Sequence, residues 1–289
     1  MFKKMLLVLG FLLTLLLAGG LVFIWQVGAW NILFPSSQHD QLAPQLPAGL
    51  NSGVLVFSKT NSFRHKEGIA GGLEAFAQIA EQMQFEMFAT ENGAVFNPQD
   101  LARFDVVVFL NATGDMLNEA QETAFKDWLE AGGGWLGIHA AGDGSHAGWT
   151  WYVENLLGAE FTAHILGPQF QTATLVTEQI EHPANAELPA SWDALEEWYS
   201  WKESPRQRGF QVLATVDENT YSPVQNLFGN SRDLRMGDHP ITWTNCVGAG
   251  RTFYTALGHT REAFAHHFFQ VKLSNALHWL RGDAPCQKQ

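Results

Sequence analysis

The fold is decided by the stretch Gly132-Gly133-Gly134-Trp135-Leu136-Gly137-Ile138-His139-Ala140-Ala141-Gly142-Asp143. An apolar strand runs here into a tight turn of small residues, and His139 stands at the tip of that turn. In an open α/β sheet, ligands bind beyond the carboxyl ends of the strands. His139 is therefore the leading candidate for a functional side chain. The alternative is a histidine that closes the strand by hydrogen bonding to a neighbouring loop.

The N-terminus has the composition of a membrane anchor. Lys3 and Lys4 precede an uncharged run from Met5 to Trp25, which is long enough to cross the ~30 Å apolar core of a bilayer. We predict an anchor over residues 1–27 in the inner membrane, crossing once, with the globular part in the periplasm by the positive-inside rule. A cleaved signal peptide is the alternative, and the continuation of the apolar run to Trp25 favours the anchor.

The composition of the remaining residues indicates the domain organisation and argues against one class of partner. Residues 28–51 are rich in Pro, Gln, Ser and Ala and predict a linker, residues 52–283 a single α/β domain, and residues 284–289 a tail. A net charge of −12 with 17 basic residues argues against a nucleic-acid partner. Cys246 and Cys286 are able to pair in an oxidising compartment, but the sequence leaves their pairing open, as it does the oligomeric state.

Strands and helices alternate through the first half of the domain. Short apolar runs typical of strands alternate with helical spacing, which predicts an α/β fold with a mostly parallel sheet and helices on both faces. The predicted strands are 54–57, 85–89, 106–110 and 135–138, and the predicted helices are 69–83, 97–103 and 119–130. The second half is less regular, with predicted strands at 169–176, 210–216 and 251–257 and a closing helix at 267–279.

Common catalytic signatures are absent from the sequence. It contains no Walker loop, CxxC pair, HExxH or GxSxG, and its glycine run precedes a strand, so we expect no nucleotide cofactor. What remains is a set of short motifs beyond strands or in loops. They are Phe63-Arg64-His65, Thr113-Gly114-Asp115, Gly137-Ile138-His139-Ala140-Ala141, Glu196-Glu197-Trp198-Tyr199, Gly237-Asp238-His239-Pro240 and Leu257-Gly258-His259-Thr260.

These motifs, in this order over about residues 53–282, resemble the ThuA-like family of trehalose-utilisation proteins. The resemblance implies a flavodoxin-like fold related to class I glutamine amidotransferases, in which the turn after this strand carries a nucleophilic cysteine. His139 lies in that region here, so glutamine hydrolysis is not expected. The chain has Ser62 where the family has Gly before Phe-Arg-His, Ile165 where it has Pro after His164, and Glu196 where it has Asp before Glu197. The family association implies disaccharide or oxidised-sugar metabolism.

The motif histidines suggest two kinds of site. Neutral imidazoles with a carboxylate suit a divalent transition metal such as zinc, manganese or iron. The predicted metal ligands are His139, His164, His239 and His259, with Glu197 as a carboxylate partner. The alternative is a metal-free site in which a histidine is the general base and Arg64 or a backbone amide stabilises an oxyanion. The predicted catalytic residues are His139, Glu197, Arg64 and His65.

The resemblance also suggests a substrate class. On a 3-keto-glycoside, polarisation of the ketone would acidify the C2 hydrogen, a histidine would remove it, and the C1 substituent would leave. The predicted substrate-binding residues are Thr113, Asp115, Asp143, Trp149, Trp151 and Tyr199. We therefore predict an enzyme that acts on a sugar derivative by hydrolysis, elimination or isomerisation. The alternative is a non-catalytic carbohydrate-binding or scaffolding module.

Overall fold

Strands and helices alternate along the chain as far as the fourth strand of a nine-stranded sheet. A computed structural model describes residues 2–227, 229–282 and 286, so the predicted tail, apart from Cys286, lies outside the described residues. The described strands are β1 (Gly53–Phe57), β2 (Met87–Thr90), β3 (Phe104–Leu110), β4 (Gly134–Ile138), β5 (Phe161–His164), β6 (Gln171–Thr177), β7 (Ser191–Glu196), β8 (Tyr199–Trp201), β9 (Gln211–Val216), β10 (Val224–Leu227), β11 (Asn230–Asp233), β12 (Pro240–Val247) and β13 (Gly250–Thr255).

The sheet has a parallel half and an antiparallel half. Its strand order is β2-β1-β3-β4-β13-β12-β9-β6-β7. The pairs from β2 to β13 are parallel, and those from β13 to β7 are antiparallel. Strands β1 and β4 are buried along their whole length, because both faces are covered, and this explains their unbroken apolar sequences. The predicted α/β class and the parallel central sheet are confirmed.

Helices connect and cover these strands. They are α1 (Phe2–Gln26), α2 (Trp30–Leu33), α3 (Lys66–Met83), α4 (Pro98–Leu101), α5 (Glu119–Glu130), α6 (Thr150–Tyr152), α7 (Arg261–Ala265) and α8 (His267–Leu280). Helix α5 has the predicted bounds because Asn118 and Gln121 form a reciprocal capping box at its start. Phe125 of α5 stacks on Phe109 of β3 with ring centroids 5.3 Å apart, which fixes the helix on the sheet.

The carboxyl ends of β3, β4 and β13 are joined by one side chain. Asn111 accepts a hydrogen bond from the Ala140 backbone N–H at 3.2 Å and donates one to the Gly258 carbonyl at 3.0 Å. Asn111 and His139 both have left-handed backbones, with φ of 49° and 46°. A positive φ costs a non-glycine residue of order 1–3 kcal/mol, so this strain is held by the surrounding contacts. The tight turn predicted at His139 is present in this form.

The segment between α1 and β1 makes specific contacts with the domain. The Arg64 backbone N–H donates to the Gly28 carbonyl at 2.9 Å, and Asn31 donates to the Thr60 carbonyl at 2.7 Å. Farther along, Asp40 pairs with Lys59 at 2.6 Å. Apart from α2, the segment has no helix or strand, as its composition indicates, but its path is defined by these contacts.

Several strands escaped sequence-based prediction. β12 begins with Pro240 and carries Asn245, which interrupts its apolar pattern. β7 alternates between exposed and buried positions, but its buried side chains include the small Ala194 and the charged Glu196, which hide the alternation. β13 ends at Thr255 rather than at residue 257, because the chain then turns toward the site.

The two cysteines form a disulfide. Cys246 lies on β12 and its Cα atom is 5.4 Å from that of Cys286. The bridge ties the end of the chain to the antiparallel half of the sheet, and the pairing that the sequence left open is present in the structure.

Candidate metal centre

Three side chains converge beyond the carboxyl ends of the central strands. His139 Nε2 lies 3.0 Å from His259 Nδ1, which in turn lies 3.1 Å from Glu197 Oε2. The third distance, from His139 Nε2 to Glu197 Oε2, is 3.5 Å. A tetrahedral ion with bonds of about 2.0–2.1 Å has ligand-to-ligand distances of about 3.3 Å. The triangle therefore has the dimensions of one face of such a coordination sphere.

His65 supplies a third imidazole, and so a fourth side chain, beside this triangle. Its ring centroid lies 4.9 Å from that of His139 and 4.6 Å from that of His259. Together with Glu197, these side chains each offer a ligand atom, and all four atoms lie within 4.8 Å of one another. His65 Nδ1 is buried and has no hydrogen-bond partner. Because buried polar atoms are rarely unpaired, this nitrogen fits a metal ligand better than a hydrogen-bonded core residue.

The protonation states also suit a cation. Burial holds the pKa of His65 well below its ordinary value and lowers that of His139 to about 4, so both rings are neutral at pH 7. Although burial raises the pKa of Glu197, the nearby rings of His139, His164 and His259 hold it well below its usual range. Neutral imidazoles and an ionised carboxylate are the forms that bind metals.

The orientation of the first ring is fixed by the fold. His139 Nδ1 lies 2.7 Å from the Ala256 carbonyl on the segment after β13. This nitrogen therefore carries the proton, and Nε2 presents its lone pair to the triangle. A carbonyl bonded to the second nitrogen is the usual way in which proteins orient a metal-binding histidine.

The second oxygen of Glu197 is also occupied. Oε1 accepts a hydrogen bond from Gln169 at 2.5 Å and lies 3.0 Å from His164 Nδ1. These contacts hold the carboxylate so that Oε2 faces the triangle. His164, predicted as a ligand, is placed by the structure beside the carboxylate rather than in the four-residue cluster. Its contact with Glu197 outweighs its burial and raises its pKa.

Glu196 joins the two segments that carry Glu197 and His259. Its carboxyl group accepts hydrogen bonds from the backbone N–H of Gly258 at 2.7 Å and of Glu197 at 3.2 Å. Burial raises its pKa to about 8 despite these bonds. The carboxylate pair of the sequence motif is thus divided, with one member in the cluster and the other supporting it.

A cleft of about 560 Å³ opens above the cluster. This volume lies within the range of roughly 300–1,000 Å³ for small-molecule sites. The lining residues are Val27, Ile32, Phe63, His65, Asp143, Phe161, His164, Leu166, Gln169, Phe170, Glu197, Tyr199 and His259. Burial raises the pKa of Asp143, which lines this cleft, to about 6, so this carboxyl group titrates close to neutral pH. Tyr199 is also brought here, with its ring centroid 4.3 Å from that of His139.

Two predicted site residues, His239 and Arg64, lie outside the cleft and the four-residue cluster. Both ring nitrogens of His239 are engaged, Nδ1 with Glu218 at 2.8 Å and Nε2 with the Tyr199 carbonyl at 2.8 Å. No lone pair of His239 is left for a metal. Arg64 pairs with Glu91 at 2.6 Å and does not line the cleft, so it is not placed to stabilise an oxyanion there.

The remaining predicted substrate-binding residues are also outside the cleft. The Thr113 hydroxyl donates to the Phe63 carbonyl at 2.9 Å and so supports the loop before His65. Asp115 and Trp149 line a separate cleft of about 370 Å³. Trp151 stacks on Trp149, with ring centroids 5.9 Å apart, within the aromatic cluster around α5.

Sequence reasoning missed several residues of the site. Gln169 and Phe170 follow β5 in a loop that carries no motif, and Val27 and Ile32 come from the segment after α1. Asn111 had a usable signal, because an asparagine directly after a buried strand favours a left-handed turn.

Comparison with known proteins places the chain in a family. A family model described as ThuA, trehalose utilisation, matches residues 53–280. A ThuA-like protein from Bacteroides uniformis is 26% identical, with a TM-score of 0.69 over 84% of this chain and 96% of its own. A ThuA-like protein from Parabacteroides merdae is 20% identical, with a TM-score of 0.62 over 83% and 93%. A search of curated proteins finds no match. The chain therefore belongs to the ThuA family.

Proposed function

We propose that this ThuA-family chain is a metal-dependent enzyme that acts on a keto-sugar derivative at the outer face of the inner membrane. The observation that carries the proposal is the convergence of His139, His259 and Glu197 at 3.0–3.5 Å, beside the unpaired buried nitrogen of His65. Buried polar atoms are usually hydrogen-bonded, so an unpaired ring nitrogen beside three further candidate ligands supports a metal site. The residues fit zinc, manganese or iron, and their nitrogen and oxygen donors do not distinguish among the three.

The cleft supplies groups for acid–base chemistry. A divalent metal at the cluster would polarise a substrate carbonyl as a Lewis acid. Asp143, with a pKa of about 6, is suited to act as general base. His164 has a raised pKa and lines the same cleft, so it is suited to act as general acid. Both groups line the same cleft, so a ligand bound there would face a candidate base and a candidate acid.

On a 3-keto-glycoside these groups would carry out an elimination. Asp143 removes the proton at C2, and the electron pair of that C–H bond forms the C1–C2 double bond. The C1–O bond breaks, and the leaving oxygen takes a proton from His164. The products are an unsaturated keto-sugar and an alcohol, so no oxidant or reductant is consumed. The glycoside without the C3 ketone would not react, because its C2 hydrogen is not acidic.

The N-terminal helix supports a membrane location for the proposed activity. Helix α1 is long and apolar enough to cross a bilayer, since 25 residues span about 37 Å. Lys3 and Lys4 favour a cytoplasmic N-terminus. The Cys246–Cys286 disulfide supports an oxidising compartment for the domain.

The test is elemental analysis of the full chain, purified in detergent without chelator, followed by an assay on a 3-keto-glycoside and its parent glycoside. We expect about one equivalent of metal, and turnover of the keto compound alone. His259→Ala should lose metal and turnover, whereas His239→Ala is the matched control and should keep the metal. A folded wild-type chain that takes up none of the three ions would overturn the metal site. A metal-loaded chain without turnover would indicate a binding module.

A further inference from the structure

The end of the membrane helix lies at the same edge of the sheet as the metal cluster. Lys66 donates hydrogen bonds to the carbonyls of Trp25 at 2.7 Å and Gln26 at 3.1 Å, and so caps the last turn of α1. Lys66 begins α3, directly after the cluster residue His65. The membrane end of α1 and the cluster are therefore joined through adjacent residues.

The path of the chain after α1 is tightly constrained. A side chain at Gly28, where φ is 86°, would place its Cβ 2.2 Å from the Arg64 carbonyl oxygen. The chain then forms α2, and Val27 and Ile32 become part of the wall of the cleft. The first residues after α1 are thus part of the wall of the cleft.

The rim of the cleft is apolar and exposed. Ile32 is 54% exposed, Leu166 52% and Phe170 36%. Among the described residues beyond α1, most exposed large apolar side chains lie in two segments, residues 27–34 and 166–170. The members of these two segments are Val27, Trp30, Ile32, Leu33, Phe34, Leu166 and Phe170. Apolar side chains concentrated at one edge mark a contact surface, and tryptophans are typical of the membrane interface.

The floor and the rim of the cleft differ in polarity. The floor holds His65, Glu197 and His259, which suit a sugar, whereas Ile32 and Leu166 stand at the opening. Phe170 lies between them, with its ring centroid 4.9 Å from that of His259. A ligand that matches both parts has a polar head and an apolar tail.

From this arrangement we propose that the rim lies in the headgroup region of the membrane that holds α1, and that the cleft takes an amphiphilic glycoside from the bilayer. The sugar would lie over the metal cluster, and its alkyl or acyl tail would lie against Ile32, Leu166 and Phe170. This inference rests on the proposed membrane anchoring and sugar specificity. It adds that the aglycone is a lipid-like chain.

The position of the rim is tested with the full chain in nanodiscs. Leu166→Cys and Ile180→Cys are each labelled with an environment-sensitive fluorophore under non-reducing conditions, which keep the native disulfide intact. Ile180 is 60% exposed and lies beyond the far end of β6, about 20 Å from Phe170, so it is a matched control. With spin-labelled lipids quenching at headgroup depth, we expect at least twofold quenching at position 166 and little at 180. Equal quenching at both positions would overturn the proposal.

The ligand class is tested with the same labelled proteins and a glucoside series carrying methyl, hexyl and octyl aglycones, below micelle-forming concentrations. The apparent Kd reported at position 166 should fall at least tenfold from methyl to octyl, with no change at 180, and Ile32→Ser should reduce this dependence. A Kd that does not depend on the length of the aglycone would overturn the proposal that the ligand is amphiphilic. Neither the quenching nor the Kd measurement needs turnover or a bound metal. A negative result in either is therefore distinguishable from a failure of the proposed enzymatic function.

Discussion

Two buried histidines of this chain each lie beside a carboxylate, but their environments differ. His239 has both nitrogens satisfied, by Glu218 and by the Tyr199 carbonyl, each at 2.8 Å. His139 uses one nitrogen on the Ala256 carbonyl, and its other nitrogen points at a group of further donors. His239 has a partner for each ring nitrogen without any ligand. Around His139, several candidate metal-ligand atoms face one another instead.

The difference shows what separates a structural histidine from a candidate ligand. Both residues stand in short sequence motifs, and both are buried. Burial and a nearby carboxylate are therefore not diagnostic. Two properties together separate the residues: both ring nitrogens of His239 have partners, whereas His65 has an unpaired nitrogen and also lies within a group of further candidate ligands.

The largest expected difference between the two regions comes from removing each histidine's carboxylate partner, Glu197 or Glu218, in separate variants. Glu197→Ala should lower metal affinity by more than about a hundredfold, beyond the 10–100-fold typical of outer-shell changes. Glu218→Ala should leave metal affinity unchanged and reduce the free energy of unfolding by about 1–3 kcal/mol, because His239 loses a buried partner. The measurements are metal titration by competition with a chelator, and urea unfolding. Equal affinity in both variants would mean that the cluster is not the metal site.

A smaller effect is expected from His65, the residue with the unpaired nitrogen. His65→Phe keeps an aromatic ring but removes both nitrogens, so metal affinity should fall by about a hundredfold. His146 is the matched control, since it is buried but has ring nitrogens 3.0 Å and 3.2 Å from the carbonyls of Ala112 and Gly114. His146→Phe should affect stability alone. Unchanged affinity in His65→Phe would assign His65 to packing.

The smallest effect is on the pH dependence of the free energy of unfolding, measured on the metal-free chain in the presence of a chelator. Burial lowers the folded pKa of His139 from 6.5 to about 4, so the unfolded chain binds the proton more readily between these values. Stability is therefore full above about pH 6.5 and falls toward pH 4, by up to ~1.4 kcal/mol per pH unit for this residue. His139→Gln should make the slope shallower by that amount. An unchanged slope would show that His139 is not held neutral.

The Glu218 pair responds in a different pH range. Although burial raises the pKa of Glu218, its hydrogen bond with His239 lowers it to about 2. Its contribution to stability is present above its ordinary pKa of 4.5 and is lost as the pH falls toward 2. The two regions thus lose stability in successive ranges of pH, which allows one unfolding series to separate them.

The parallel half of the fold was predictable because its strands are apolar runs covered on both faces. Val54–Phe57 and Val106–Leu110 need no long-range information to be read as strands, and the cap at Asn118 fixes a helix start locally. β7 was hidden because Glu196 occupies an inward position, where it serves the site rather than the core.

The candidate site was predictable only in part. His139 was found because it follows a buried strand at a tight turn, and His259 and Glu197 because each lies in a short motif beyond a strand or in a loop. In the sequence these residues look no different from His239. Only the hydrogen bonds that His239 makes with distant residues of the fold distinguish it from them. Gln169 and Ile32 lie in segments without a motif, and their place at the site depends on how distant segments pack.

The hydrogen bonds of Asn111 have a consequence for the order of folding. Its partners are 29 and 147 residues away in the chain, and the cluster itself draws on residues from His65 to His259. No early-formed fragment of the domain contains the complete ligand set. A metal at the proposed site would therefore be taken up only after β13 has docked, so a bound ion would indicate that the domain had finished folding.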